Sequence, residues 1–339
     1  MILRRLTLLV TFCTLAAASP KTAGKALKIY FIDAEGGQAT LFVAPSGESM
    51  LIDTGWPGTR EADRIAAAAK GAGIDRIDYL LITHFHIDHA GGAPELAKRL
   101  PIGTYIDHGE SVEHDGNAEK LYRAYTDTRG QAKHIVAKPG QTVPIRGLSV
   151  RILTAGGEEI QKPLPGAGQK NELCGSESKR ETDPSENAQS VGVLMTFGKF
   201  RVVDLGDLTW NKEMDLVCPV NRVGKVDLYV VSHHGMNMSG SATLVHALAP
   251  RVAIMDNGAH KGGTPEAYQA IKSSPGLEAI WQLHYAMAGG EANNTPEQFL
   301  ANVSEAGDNG KEITVEAHED AGFTVTNTRN GFSRNYPAK

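Results

Sequence analysis

Three histidines and an aspartate fall within six residues: His84, His86, Asp88 and His89. They follow an apolar run, Tyr79 to Ile82, and precede Gly91 and Gly92. Imidazole nitrogens and a carboxylate crowded at the end of a buried strand are ligands for zinc or a similar divalent cation. The alternation carries the argument. From an extended segment His84 and His86 point the same way, whereas Asp88 and His89, on the following turn, point to a second position. One short segment can therefore supply two ligands to each of two metals. The two glycines then let the backbone turn tightly into a helix.

The elements that must hold these groups follow from local pattern. Strands are expected at 27–32, 39–43 and 49–52, with a turn at Pro45-Ser-Gly, and a helix at 60–72. After the ligand strand come a helix at 93–100, stopped by Pro101, a strand at 101–107, and a partly helical stretch at 113–130. Short strands follow at 133–136, 142–145 and 148–153. Residues 156–187 are rich in Gly, Pro and charge and poor in apolar residues. They form a long exposed insertion that is either a lid or a plain surface loop. The second half reads as a hairpin at 191–197 and 200–205. A strand at 226–231 follows, then a helix at 241–248 and a strand at 252–255. A helix at 265–273, a strand at 278–283 and a helix at 295–306 come next. A closing hairpin of 313–316 and 323–328 completes the chain. Residues fit for chemistry recur where strands end: Asp53, His84, His108, Asp207, His233, Asn257 and His284. Strand ends are where α/β folds place their sites.

The stretch THFHIDHAGG resembles the His-x-His-x-Asp-His signature of the metallo-β-lactamase superfamily, and further matches run from about residue 28 to 260. The resemblance implies an α/β fold, a four-layer αββα sandwich of two similar halves with a metal site at one edge. It implies that Asp207, in Leu-Gly-Asp, bridges two metals, because each carboxylate oxygen can take a cation. One histidine of the pair His233-His234 should complete the second metal's ligands, with His233 favoured and His234 left to orient a ligand or meet substrate. The metal ligands expected are thus His84, His86, Asp88, His89, Asp207, His233 and His234. Asp88 and Asp53 are the expected catalytic pair. Asp88 relays a proton besides ligating, and Asp53, in Ile-Asp-Thr-Gly, steadies the ligand loop.

One departure is informative. Many superfamily members carry a histidine just before the second-half hairpin, where this chain reads Glu186-Asn187-Ala-Gln189-Ser190. That absence, with Leu-Gly-Asp and His-His-Gly, resembles the ComEC-like branch, related to the extracellular domain of DNA-uptake competence proteins. The first metal would then keep His84, His86 and Asp207, with water or Asn187 filling in. His108, Asn187, His260 and His284 are the candidates for substrate contact. The cofactors implied are two divalent ions, zinc first, with Mn2+ or Fe2+ as alternatives.

Composition sets outer bounds. Apolar residues make up 41% and charged residues 22%, which suits a chain with a sizeable core. The net charge of −5 gives no electrostatic support for strong nucleic-acid binding. Arg4 and Arg5, the apolar run Leu6 to Ala18 and the ending Ala16-Ala17-Ala18 read as a secretory signal peptide over residues 1–18. The expectation is secretion or periplasmic export, no membrane attachment after processing, and a single domain over 19–339. Export leaves Cys174 and Cys218, an even pair open to oxidation. The expected activity is hydrolysis of a small-molecule phosphoester by metal-activated water. Two other readings stay open: a lactone or β-lactam hydrolase, and a non-catalytic metal-binding scaffold of the same fold.

Overall fold

The structure is a computed structural model that describes residues 26–304 and 310–339. The expected signal segment, residues 1–18, lies outside the described residues.

The first half alternates strands and helices: β1 (Leu27–Phe31), β2 (Thr40–Val43), β3 (Ser49–Ile52), α1 (Thr59–Gly71), β4 (Ile77–Leu81), α2 (Ile87–Ala90), α3 (Ala93–Ala97), β5 (Ile102–Asp107), α4 (Gly116–Arg129) and β6 (Lys133–Val136). Next come β7 (Thr142–Val143), β8 (Ser149–Ala155), β9 (Glu158–Glu159), β10 (Gly192–Phe197), β11 (Phe200–Asp204), α5 (Trp210–Val217), β12 (Leu228–Val230), α6 (Ala242–Leu248), β13 (Val252–Met255), α7 (Pro265–Lys272), β14 (Ala279–His284) and β15 (Leu300–Asn302). The chain closes with β16 (Ile313–Ala317), β17 (Phe323–Asn327) and β18 (Ser333–Tyr336).

Two sheets result. One has the order β18-β17-β16-β1-β2-β3-β4-β5-β6, the other β15-β14-β13-β12-β11-β10-β8-β7, with β9 beside β8. Their facing sides share one apolar layer, in which Phe31, Phe42 and Leu81 of the first sheet join Val193, Val230 and Trp281 of the second. A second layer packs α1, α3 and α4 on the outer face of the first sheet through Ile65, Leu96 and Tyr125. A third packs α5, α6 and α7 on the second sheet through Leu216, Leu244 and Ile271. The molecule is therefore the expected αββα sandwich.

Parallel pairing aims the strand ends together. β3 to β6 run parallel, as do β11 to β15. Their carboxyl ends deliver Asp53, the ligand loop, His108, Asp207, the histidine pair and His284 to one edge. Val191 N donates to Thr83 O at 2.8 Å across the two sheets, which holds the two halves of that edge together.

One expectation is corrected, and three features go beyond the sequence reading. Residues 295–306 do not form a helix. A short 3-10 turn, Glu297–Phe299, leads into β15, which pairs with β14, and Asn302 Nδ2 donates to Leu283 O at 2.9 Å. Burying Leu300 and Ala301 at a sheet edge outweighs modest helix propensity. Helix α5 went unseen because its eight residues are short for a clear period, yet Met214, Leu216 and Val217 are buried. Strand β18 reads as polar, but Tyr336 stacks on Phe323 with centroids 4.8 Å apart and accepts from Trp281 Nε1 at 3.0 Å. The insertion 156–187 is anchored along much of its length. Cys174 is disulfide-bonded to Cys218, Thr243 N donates to Glu177 Oε2 at 2.8 Å, and Arg180 lies 3.6 Å over the Trp210 ring.

Candidate metal centre

Asp53 organises the ligand loop. It leaves β3 with φ of 60°, a left-handed conformation costly for a residue with a side chain. There Oδ1 accepts from Thr83 N at 2.8 Å, and Oδ2 accepts from Thr83 Oγ1 at 2.7 Å and from His89 Nδ1 at 2.7 Å. The Thr83 hydroxyl proton is thus committed to Asp53, so Thr83 Oγ1 accepts from His84 Nδ1 at 3.0 Å. Both rings are left with their Nε2 lone pairs facing the centre. His86 is turned the other way. Its Nε2 meets Glu113 Oε1 at 3.2 Å, and its Nδ1 lies 3.0 Å from His84 Nε2.

The second sheet supplies the opposing groups. Gly206, with φ of 54°, brings the backbone so close to Thr83 that a Cβ would lie 2.8 Å from the Thr83 Cβ, and Asp207 follows it. His233 and His234 both sit in the left-handed region, with φ of 53° and 54°. His234 Nε2 lies 3.2 Å from Asp88 Oδ2, 3.4 Å from Asp207 Oδ1 and 3.2 Å from His89 Nε2. His89 Nε2 lies 3.1 Å from Asp88 Oδ2 and 3.3 Å from Asp207 Oδ2. One ligand atom each from Asp88, His89, Asp207 and His234 falls within 4.8 Å of the others. The ring that closes this group is His234, against the expectation that favoured His233. His233 stands beside it. Ser239 Oγ donates to Leu208 O at 2.7 Å and so accepts from His233 Nδ1 at 3.2 Å, which leaves His233 Nε2 3.3 Å from Asp207 Oδ2.

This donor set fits a cation. Carboxylate oxygens and imidazole lone pairs converge in a buried space, and Asp207 Oδ1 has no hydrogen-bond partner among the described residues. Charges arranged so need positive charge between them. Burial works against charge on His89 and His234, yet Asp207, with Asp88 and Asp53 on His89 and Asp256 on His234, holds both well above the ordinary imidazole range. Burial likewise opposes charge on Asp88 and Asp207, and the surrounding histidines hold both well below the usual carboxylate range. His84 is pushed well below the ordinary value by burial and then by His89, and burial brings His233 down to about 4. Asp207 Oδ2 also lies 4.0 Å from His84 Nε2, so one carboxylate faces both the four-residue group and the His84–His86 pair.

The expected substrate contacts fare differently. His108 is buried and pairs with Glu186 Oε2 at 2.8 Å. That same carboxylate accepts from Phe85 N, Ser111 Oγ and Val112 N, so it fastens the ligand loop. His284 is buried against Asp33 Oδ1 at 2.7 Å, where Arg64 Nη1 meets Asp33 Oδ2 at 3.2 Å. Both rings are engaged by a buried carboxylate, an arrangement that accounts for each without a substrate contact. A strand-end position fixed where these rings start but not which carboxylate each meets. His260 is exposed on the loop after β13. Asn187 is buried on the turn Glu186–Gln189, and its Oδ1 has no hydrogen-bond partner among the described residues.

Sequence reading missed three residues at the centre. Lys261 Nζ bonds Asp88 Oδ2 and lies 5.3 Å over the Trp56 ring. Asp256 Oδ1 lies 3.4 Å from His234 Nδ1. Glu113 meets His86. Asp256 ends a strand and could have been flagged on that ground. Lys261 and Glu113 sit in loops whose sequences carry no such signal.

Residues 33–169 match the model of the metallo-beta-lactamase superfamily. The chain is 26% identical over 260 residues to a UPF0173 metal-dependent hydrolase of Cupriavidus necator, covering 75% of this chain and 81% of that protein. It is 27% identical over 230 residues to Recombination protein 2 of Haemophilus influenzae, covering 67% of this chain and 24% of that protein. Among solved structures, the metallo-beta-lactamase fold protein YhfI of Bacillus subtilis aligns with 86% of this chain and 100% of its own at 12% identity, with a TM-score of 0.47. The segment that matches that model holds His84, His86, Asp88 and His89. The relatives that match most of the chain include metal-dependent hydrolases, to which it is similar.

Proposed function

We propose that the protein is an exported hydrolase that cleaves a phosphoester at a centre of two divalent metals, zinc first among them. The observation that carries the reading is Asp207, whose Oδ2 faces His89, His233 and His84 while Oδ1 faces His234. Asp88, His89, Asp207 and His234 would hold one ion. His84, His86 and Asp207 would hold the other, with Asn187 beside them. Ions held there would supply Lewis acidity and acidify a bound water to about neutral, chemistry that serves phosphoester displacement.

The chain's own residues do the rest. Asp53 and Thr83 hold two rings in one tautomer, and Glu113 orients His86. Asp88, buried beside Lys261, is placed to take the proton from the attacking water and pass it to the leaving group. Asp53 acts as a positioning residue, since it is fully buried behind His89. The Lys261 ammonium at the mouth suits an anionic substrate. A screen of metal-loaded protein with bis(p-nitrophenyl) phosphate, nitrocefin and a lactone panel tests the reading. Turnover of the phosphodiester alone is expected. Turnover of only the acyl compounds moves the assignment to acyl transfer, and no turnover of any leaves a metal-binding scaffold.

A further inference from the structure

A cavity opens directly beside His86, between α2, α3 and α4. Its volume is about 780 Å³, within the range of roughly 300–1,000 Å³ typical of small-molecule sites. Phe85, Ile87, Pro94, Leu121 and Ala124 give it an apolar wall that runs up to the His86 ring. Ile87 stands between two metal-centre residues and is nonetheless 48% exposed, which is unusual for a large aliphatic side chain.

The carboxylates around the cavity are already committed. Glu95 pairs with Lys98 at 2.6 Å and Arg99 at 3.1 Å. Glu113 accepts from Glu186 N at 3.2 Å as well as meeting His86. Asp115 caps α4 by accepting from Asn117 N at 2.9 Å and Ala118 N at 3.0 Å. The lining cation, Lys120, is exposed to solvent. What the cavity offers a ligand is hydrocarbon surface, with carboxylates at its rim that repel an anion.

We propose that this cavity is the specificity pocket of the centre and takes a neutral apolar arm of the substrate, an aliphatic or aromatic group carried by the scissile ester. The inference rests on the hydrolase reading for the reacting group but not for the pocket. Substrates are then small amphiphiles: the reacting group lies at the metals near Lys261, and the hydrocarbon arm lies along Ile87 and Leu121. A polyanion has no cationic track to follow here.

Binding of the neutral fluorophore N-phenyl-1-naphthylamine to the metal-loaded full chain tests the pocket without requiring turnover. Saturable one-site binding is expected, weakened on the order of tenfold or more by Ala124→Arg, an exposed position that tolerates a large side chain while filling the cavity. Leu121→Gln gives a second variant with the same expected direction. On a hydrolysed ester class, kcat/KM should rise from methyl to hexyl arms, and that preference should collapse in Ala124→Arg. Absence of saturable binding to wild type, or equal affinity in both variants, overturns the proposal. Probe binding that obeys the prediction in a protein that hydrolyses nothing keeps the pocket and rejects the hydrolase reading.

Discussion

Asp53 Oδ2 lies 2.7 Å from His89 Nδ1, with both side chains fully buried, and this contact decides which nitrogen of His89 faces Asp88, Asp207 and His234. The carboxylate accepts the Nδ1–H hydrogen bond, so the Nε2 lone pair is turned inward. Removing the partner should loosen the ligand without touching the metal's own shell. Asp53→Ala is expected to weaken metal binding about 10- to 100-fold. Competition titration against a chromogenic chelator, with circular dichroism to confirm folding, reads this, and an unchanged affinity would refute the assignment.

The two histidines after β12 should separate cleanly. His234→Ala removes a member of the four-residue group and should abolish tight binding of one ion. His233→Ala should leave that ion in place, because among the described residues its metal-facing Nε2 meets Asp207 Oδ2, at 3.3 Å. Elemental analysis after dialysis distinguishes them. Equal loss in both variants would return His233 to the ligand set.

The two ions should leave unequally. Four protein side chains gather around one position, and three stand at the other unless Asn187 helps, so a dilute chelator should strip the three-ligand site first. Asn187→His, which restores a third imidazole, should delay that first loss. Simultaneous release of both ions, or no effect of the substitution, would show the missing ligand to lie elsewhere.

Glu213 predicts a pH dependence of stability. It is buried on α5, where it accepts from Gly240 N at 2.9 Å and Ser241 N at 3.3 Å, and burial pushes its carboxyl from 4.5 up to about 7. A raised pKa means the folded state keeps a proton that the unfolded chain has released. The stabilisation is whole below pH 4.5 and declines as pH rises through about 7, by at most about 3 kcal/mol. At fixed saturating metal, denaturant unfolding of wild type should lose stability between these values faster than Glu213→Gln. Parallel profiles would exclude this carboxyl as the source.

The Cys174–Cys218 disulfide spans 44 residues and ties the long insertion to the end of α5. Replacing both cysteines by serine should cost up to about 4 kcal/mol in the chain-entropy account. Urea unfolding midpoints of the two proteins measure the cost. Identical midpoints would mean that the contacts of Glu177 and Arg180 already hold the insertion.

The types of chemistry were legible from local sequence. His84, His86, Asp88 and His89 lie within six residues, so one strand end and one turn place them whatever the rest of the chain does. The alternation of strand and helix likewise follows from side-chain period, whereas the four layers were implied by the resemblance of the ligand motif to the metallo-β-lactamase superfamily. Pairings between distant segments had no such signature. His108 and His284 look like site residues by position, and tertiary packing gives each a buried carboxylate, Glu186 and Asp33, 78 and 251 residues away. The choice of His234 depends on two consecutive left-handed residues, a backbone state that neighbouring sequence does not require. Lys261 reaches Asp88 across 173 positions because parallel strands in two sheets end at one edge. Local chemistry fixed the ligand types, and the meeting of the two sheets decided which groups face them.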